Sequence, residues 1–136
     1  MANTSIYNDI YTCLNANATL TALCGLMAWD GLPNSRIETT RIIYRMIDDV
    51  RVHDSHIRNQ RWRFWICVPF TEATPKVKCL NIANVMLDTL HEQGGAVGSI
   101  TVNNIECVSN QDPIFDETLN CYMIIQDYIF KMKTLQ

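Results

Sequence analysis

Residues 61–70 read RWRFWICVPF, and the fold turns on how this stretch is divided. Three large rings, Trp62, Phe64 and Trp65, crowd between two arginines and a proline. In a strand, successive side chains point to opposite faces. Period two therefore places Trp62, Phe64, Ile66 and Val68 on one face, and Arg61, Arg63, Trp65 and Cys67 on the other. The first face is apolar throughout and reads as core. Trp65 shares its face with the arginines and is expected to leave the core. Pro69 has no amide donor and marks the end of a ladder or an edge position.

Downstream, Thr71 or Thr74 is placed to cap a helix, with Pro75 in the first turn. Ala73, Val77, Leu80, Ala83, Leu87 and Leu90 recur at helical spacing, so residues 75–91 are expected to form the clearest helix and to cover the Trp62 face. Gly94 and Gly95 supply a cheap left-handed stop. Then Ile100 and Val102 begin a strand, Asn103 and Asn104 read as a turn or bulge, and Ile105 to Val108 resumes it. Residues 110–113 read as a turn. A long strand follows from Thr118, with Tyr122, Ile124, Gln126, Tyr128 and Phe130 on one side and Met123, Ile125 and Ile129 on the other.

Upstream, Thr39 to Ile47 is rich in β-branched residues and reads as a strand. Asp48 to Asn59 is polar and reads as a long hairpin connection or a mobile loop. Residues 5–14 carry an amphipathic helical face, with Thr4 or Ser5 as cap. Asn15, Asn17 and Thr19 break it, and Leu20 to Leu26 reads as a second short helix. Residues 29–34 are a turn-rich loop. This order predicts one α+β domain over 1–136: an antiparallel β-sheet of about four strands packed against helices on one face, with the far face left available.

The chain has 136 residues, 48% of them hydrophobic, which suits one core. Only 18% are charged, below the roughly 25% of ordinary soluble domains, a sign that partners cover some surface. Net charge is −3, and seven of the 11 Lys and Arg fall between Arg36 and Arg63, diluted by Asp48, Asp49 and Asp54. A continuous basic field for nucleic acid is not implied. The N-terminal stretch MANTSIYNDIY has no basic n-region followed by an apolar run, and no segment approaches the roughly 18–20 apolar residues of a membrane span. Folding in the cytoplasm is expected. Six cysteines without a CxxC pair read as buried free thiols.

Chemistry-bearing patterns are sparse. His53 and His56 bracket Asp54 in HDSH, but no third ligand stands at a diagnostic spacing. Asp48 and Asp49 could meet a divalent ion, and more often such a pair keeps a loop wet. The glycines at 94–98 follow a helix and precede a strand, the wrong order for a phosphate cradle. No catalytic residue, metal or cofactor is expected. The residues expected at an interface are Arg61, Arg63, Trp65, Asp48, Asp49, His53 and His56, because Trp and Arg bury much area while keeping polar reach. An alternative use of Arg61, Arg63 and Trp65 is stacking on single-stranded nucleic acid.

Taken in order, these segments resemble the phage tail-terminator or tail-completion proteins of long, non-contractile tails. The marks are the helix SIYNDIYTCLNANATLTAL, the strand RIIYRMIDD, RWRFWICVPF after a polar loop, the helix TEATPKVKCLNIANVMLDTLHEQ, the glycine pair, and the C-terminal NIECVSNQDPIFDETLNCYMIIQDYIF. The resemblance covers almost the whole chain through order and spacing. It aligns the family's strands with Ile42–Ile47, Trp62–Val68 and Asn120–Phe130, and its variable loop with Asp48–Gln60. It implies a virion protein assembled in the host cytoplasm as a homohexameric ring on the head-proximal end of the tail tube. Its implied partners are copies of itself, the tail tube protein and the head connector or stopper. Genomic DNA would pass without specific binding, and no membrane is involved. A head-completion or minor tail role is the neighbouring possibility. The chain departs from the family in Ile37-Glu38-Thr39-Thr40, where relatives carry a proline-rich approach, and in its tryptophan content.

Overall fold

The computed structural model describes residues 10–24, 26–28, 37–51, 57–91, 95–97 and 100–133. Residues 10–15 are helical and form α1 as far as it is described. Then come α2 (Ala18–Leu23), β1 (Leu26–Ala28), β2 (Arg41–Arg51), β3 (Ile57–Pro69), α3 (Pro75–Leu90), β4 (Gly95–Val97), β5 (Ile100–Asn110), β6 (Ile114–Asp116) and β7 (Cys121–Lys133).

One sheet holds all seven strands in the order β1-β2-β3-β7-β5-β4, with β6 also paired to β7. Every pairing is antiparallel except the short β1–β2 contact. The expected α+β sheet with helices is therefore present, enlarged by three three-residue strands, β1, β4 and β6. The RWRFWICVPF stretch lies in β3, between β2 and β7. Pro69 is its last residue and pairs with Cys121, so the missing donor falls at the ladder's end.

The alternation of β3 holds. Trp62, Phe64, Ile66 and Val68 are buried under α3, together with Ile42 and Tyr44 of β2 and Ile124, Tyr128 and Phe130 of β7. The rings interlock: Phe64 meets Tyr128 edge-on at 5.5 Å between centroids, and Tyr44 at 5.4 Å. Helix α3 contributes Cys79, Ile82, Ala83, Met86 and Leu90 to this core, and Ile10, Leu14 and Leu20 of the N-terminal helices join it.

Several expectations need correction. Asp48–Gln60 is not a loop throughout. β2 runs to Arg51 and β3 begins at Ile57, with Asp48 opposite Arg61 and Asp49 opposite Gln60. Asp49 pairs with Arg58 across the ladder, so polar composition here does not mean loop. Leu20–Leu26 is not one helix: α2 ends at Leu23, and Leu26 opens β1. Asn17, read as a breaker, is the N-cap of α2, and its Oδ1 accepts from the Leu20 amide at 3.0 Å. Thr74 occupies the cap position of α3 in a left-handed conformation, φ 47°, and makes no side-chain cap. Pro75 does open the helix. At the other end the cap is His91 in extended conformation, and Gly95 belongs to β4. The final strand starts at Cys121 after a turn through Asn120, whose φ is 56°. The bulge expected at Asn103 and Asn104 is present as a register shift between Val102 and Asn104. The caps Thr4 and Ser5, the loop 29–34 and Gly94 lie outside the described residues.

The far face of the sheet is only half open. Ile43, Trp65, Cys67, Cys121 and Met123 form a second apolar cluster there, roofed by Ile37 and Leu119. Ile37 is tied down by its amide, which donates to the Leu119 carbonyl at 2.8 Å. All six cysteines are free thiols. Burial pushes the Cys24 and Cys79 thiols up to about 12.

Candidate functional site

The uncovered half of the far face begins one row beyond Trp65. Register places Arg45, Arg63, Asp127 and Ser109 side by side on β2, β3, β7 and β5. The next row holds Asp48, Arg61, Ile129 and Glu106. Strand alternation thus gathers six charged residues of the four long strands on one surface.

At its centre Asp127 is 2% exposed. Arg63 donates from Nε to Asp127 Oδ1 at 2.8 Å and from Nη2 to Oδ2 at 3.0 Å. Arg61 donates from Nε and Nη2 to Oδ2 at 2.9 and 2.7 Å. Burial by itself would raise the Asp127 carboxyl, and the bonds from Arg63 and Arg61 outweigh it, holding the group below the ordinary carboxylate range. The same bond, chiefly, raises Arg63. A carboxylate with four charged donors on its two oxygens is a poor proton acceptor, so this group is not a general base. The Arg63 and Arg61 side chains are 36% and 41% exposed, and each guanidinium has five N–H donors, more than Asp127 takes. The arrangement suits recognition of carboxylates or carbonyls on another molecule.

The expected interface residues separate. Arg61 and Arg63 meet on this surface, and Asp48 lies exposed beside Arg61 in register. Asp49 turns to the other face. Its Oδ1 and Oδ2 accept from Arg58 Nε and Nη2 at 3.1 and 2.7 Å, and Oδ2 also accepts from Gln60 Nε2 at 3.3 Å. Gln60 Oε1 in turn accepts from the Trp62 indole at 3.1 Å. Asp49 therefore finishes a polar chain that begins in the core. His53 and His56 lie outside the described residues.

Trp65 does not leave the core. It is 7% exposed, held in the cluster roofed by Ile37 and Leu119. The stacking platform for single-stranded nucleic acid loses its ring, and the arginines beside it are engaged with Asp127. Asp127 itself is the residue that sequence reasoning passed over. Its signal was available: a lone carboxylate flanked on its own face by Ile125 and Ile129 needs a partner when buried.

Among the described residues no group of three or more His, Cys, Asp or Glu is placed to hold a metal ion, and no helix is long and apolar enough to cross a membrane. No family model and no curated protein matches the chain. Solved structures do. A chain of the structure described as "Virion of native gene transfer agent (GTA) particle" superposes with a TM-score of 0.67 over 91% of this chain and 91% of its own, at 15% identity. At that identity the likeness is one of fold.

Proposed function

We propose that this chain is a structural virion protein of the tail or neck. It assembles as a ring, a hexamer, on the head-proximal end of a tail tube, where it ends tube growth and meets the head connector. The observation that carries this reading is the fold shared end to end with a chain of a gene-transfer-agent virion, 91% of each chain being covered. The far face supports it. Its buried carboxylate, Asp127, is saturated by arginines, and the donors left over point toward recognition rather than bond-making. A ring repeats one heterologous contact around an axis, so each copy must bury two different patches, in keeping with 18% charged residues. Genomic DNA passes through such a ring without specific binding, and a net charge of −3 suits passage.

The test is assembly. Native mass spectrometry and negative-stain microscopy of the purified protein, alone and with tail tubes, should show a closed hexamer or tubes capped at one end. A protein that stays monomeric and leaves the tubes uncapped overturns the reading. Binding to the connector but never to tubes would assign it to head completion instead.

A further inference from the structure

The apolar cluster on the far face holds two cysteines. Cys67 stands opposite Met123 and Cys121 opposite Pro69 across the β3–β7 ladder, so the two are diagonal neighbours on one face. Both are fully buried beneath Ile37 and Leu119. Their thiols are hydrogen-bonded to each other, and the bond acts on them in opposite senses. It raises Cys67, which burial raises further, and it holds Cys121 below the ordinary thiol range. Cys121 is thus the readier thiolate of the two. Cys79 belongs to the other face of the sheet, where its Sγ meets the carbonyls of Ile66 and Tyr122 at 3.6 and 3.9 Å.

Diagonal neighbours across a ladder lie about 7–8 Å apart, whereas a disulfide usually spans about 5.5–6 Å between Cα atoms. Joining these two needs a small backbone shift, and the ladder ends where the shift is needed. Cys121 is the first residue of β7 and follows Asn120, whose φ is 56°. Pro69 opposite it has no N–H to donate. On its other side Cys121 pairs with Asp116, the last residue of three-residue β6. Cys67, in contrast, sits inside β3 with a partner strand on each side. The residue free to shift is therefore the one whose thiol is readier to react.

We propose that Cys67 and Cys121 are a redox pair that hydrogen peroxide converts to a cross-strand disulfide, locking the corner under Ile37 and Leu119. The Cys121 thiolate attacks one peroxide oxygen. The O–O bond breaks, hydroxide leaves with the proton that Cys121 gave up, and a sulfenic acid remains. The Cys67 sulfur then attacks the Cys121 sulfur, the S–O bond breaks, and the Cys67 proton departs with the oxygen as water. Two thiols lose two electrons, and one peroxide is reduced to two waters. Access comes when the roof loosens: Ile37 is held by one backbone bond to Leu119, and Leu119 by its amide to Asp116 Oδ1 at 2.9 Å. In a reducing cytoplasm the pair stays a dithiol, and in an oxidising medium the bridge persists. A virion leaving its host passes from the first to the second. That timing rests on the reading above, whereas the chemistry belongs to the single chain.

Mass spectrometry of the purified chain tests it. Reduced protein treated with hydrogen peroxide at neutral pH should become lighter by two hydrogen atoms. A non-reducing peptide map should join the segment holding Cys67 to the one holding Cys121, and dithiothreitol should restore the starting mass. Cys67→Ala should halt at a sulfenic acid on Cys121, trapped there by dimedone, and Cys121→Ala should leave position 67 unmodified. Circular dichroism checks that the variants are folded, and the wild-type map decides even where they are not. The bridged wild type should exchange its amides at 119–123 at least about tenfold more slowly than the reduced form. A map that links other cysteines, or a wild type that never loses two hydrogens, overturns the pair. A bridge that leaves exchange unchanged overturns the lock. None of these outcomes needs a ring, so the assembly reading can fail while the pair stands.

Discussion

Arg63 faces Asp127 directly across the β3–β7 ladder and grips both carboxylate oxygens, at 2.8 and 3.0 Å. Arg61 reaches the same carboxylate from two residues away and uses only Oδ2. The two arginines are therefore unequal, and their removal should show it. Arg63→Ala should cost about 1–2 kcal/mol and Arg61→Ala less, since both side chains are more than a third exposed and the pairs partly screened. Removing both leaves a buried carboxylate uncompensated and should cost more than the sum of the two, about 3–5 kcal/mol. Urea unfolding of the four proteins in the cycle measures this.

The same carboxylate sets an acid dependence. Asp127 is held below its ordinary range in the folded state, so the unfolded chain takes up its proton at higher pH. The stability it supplies is complete above the unfolded value of about 3.9 and is lost as pH falls through the folded value. Asp127→Asn should be less stable than wild type at about pH 6, and the gap should narrow by about pH 3. A gap that is constant across that range would mean that Asp127 is not held low.

The two tryptophans of β3 should both prove structural. Trp62→Ala removes a fully buried ring whose indole donates to Gln60, and should cost about 3–5 kcal/mol. Trp65→Ala opens the smaller cluster under Ile37 and Leu119 and should cost about 2–4 kcal/mol. A soluble, fully stable Trp65→Ala protein would show that the roof is not closed. Thermal unfolding by near-ultraviolet circular dichroism distinguishes the outcomes.

His91 joins α3 to the sheet: its Nδ1 accepts from the Cys107 amide at 2.9 Å. His91→Ala leaves that amide without its acceptor and should cost about 1–2 kcal/mol. The loss should appear first as faster amide exchange in β5, since this bond is local to that strand.

What was legible in the sequence followed from periodicity. Alternation in β3 separated Trp62 and Phe64 from Arg61 and Arg63, and three-and-four spacing marked α3 as a helix but misplaced its packed face: Val77 and Leu80 are exposed, while Cys79, Ile82 and Met86 lie against the sheet. Periodicity assigns a residue to a face and says nothing of what covers that face. Trp65 was misjudged for this reason, because its roof comes from Ile37 and Leu119, far away along the chain in both directions. Strand ends at Asp48–Arg51 and Ile57–Gln60 were hidden because polar residues there sit in a ladder, with Asp49 bonded to Arg58 across it. β1, β4 and β6 are three residues each, too short for any period to register. Asp127 could have been found by asking what a carboxylate does between two isoleucines on one face of a strand.

The β3–β7 ladder bears on how the protein carries load. It pairs residues without a register break from Ile57 with Lys133 to Pro69 with Cys121, whereas the ladders on either side of it are interrupted. A pull along β7 would strain all of those hydrogen bonds together, in shear, instead of parting them one after another. The strand is also gripped on its opposite side by β5 and β6. The domain should therefore be stiff to tension along this axis and much weaker to tension across it.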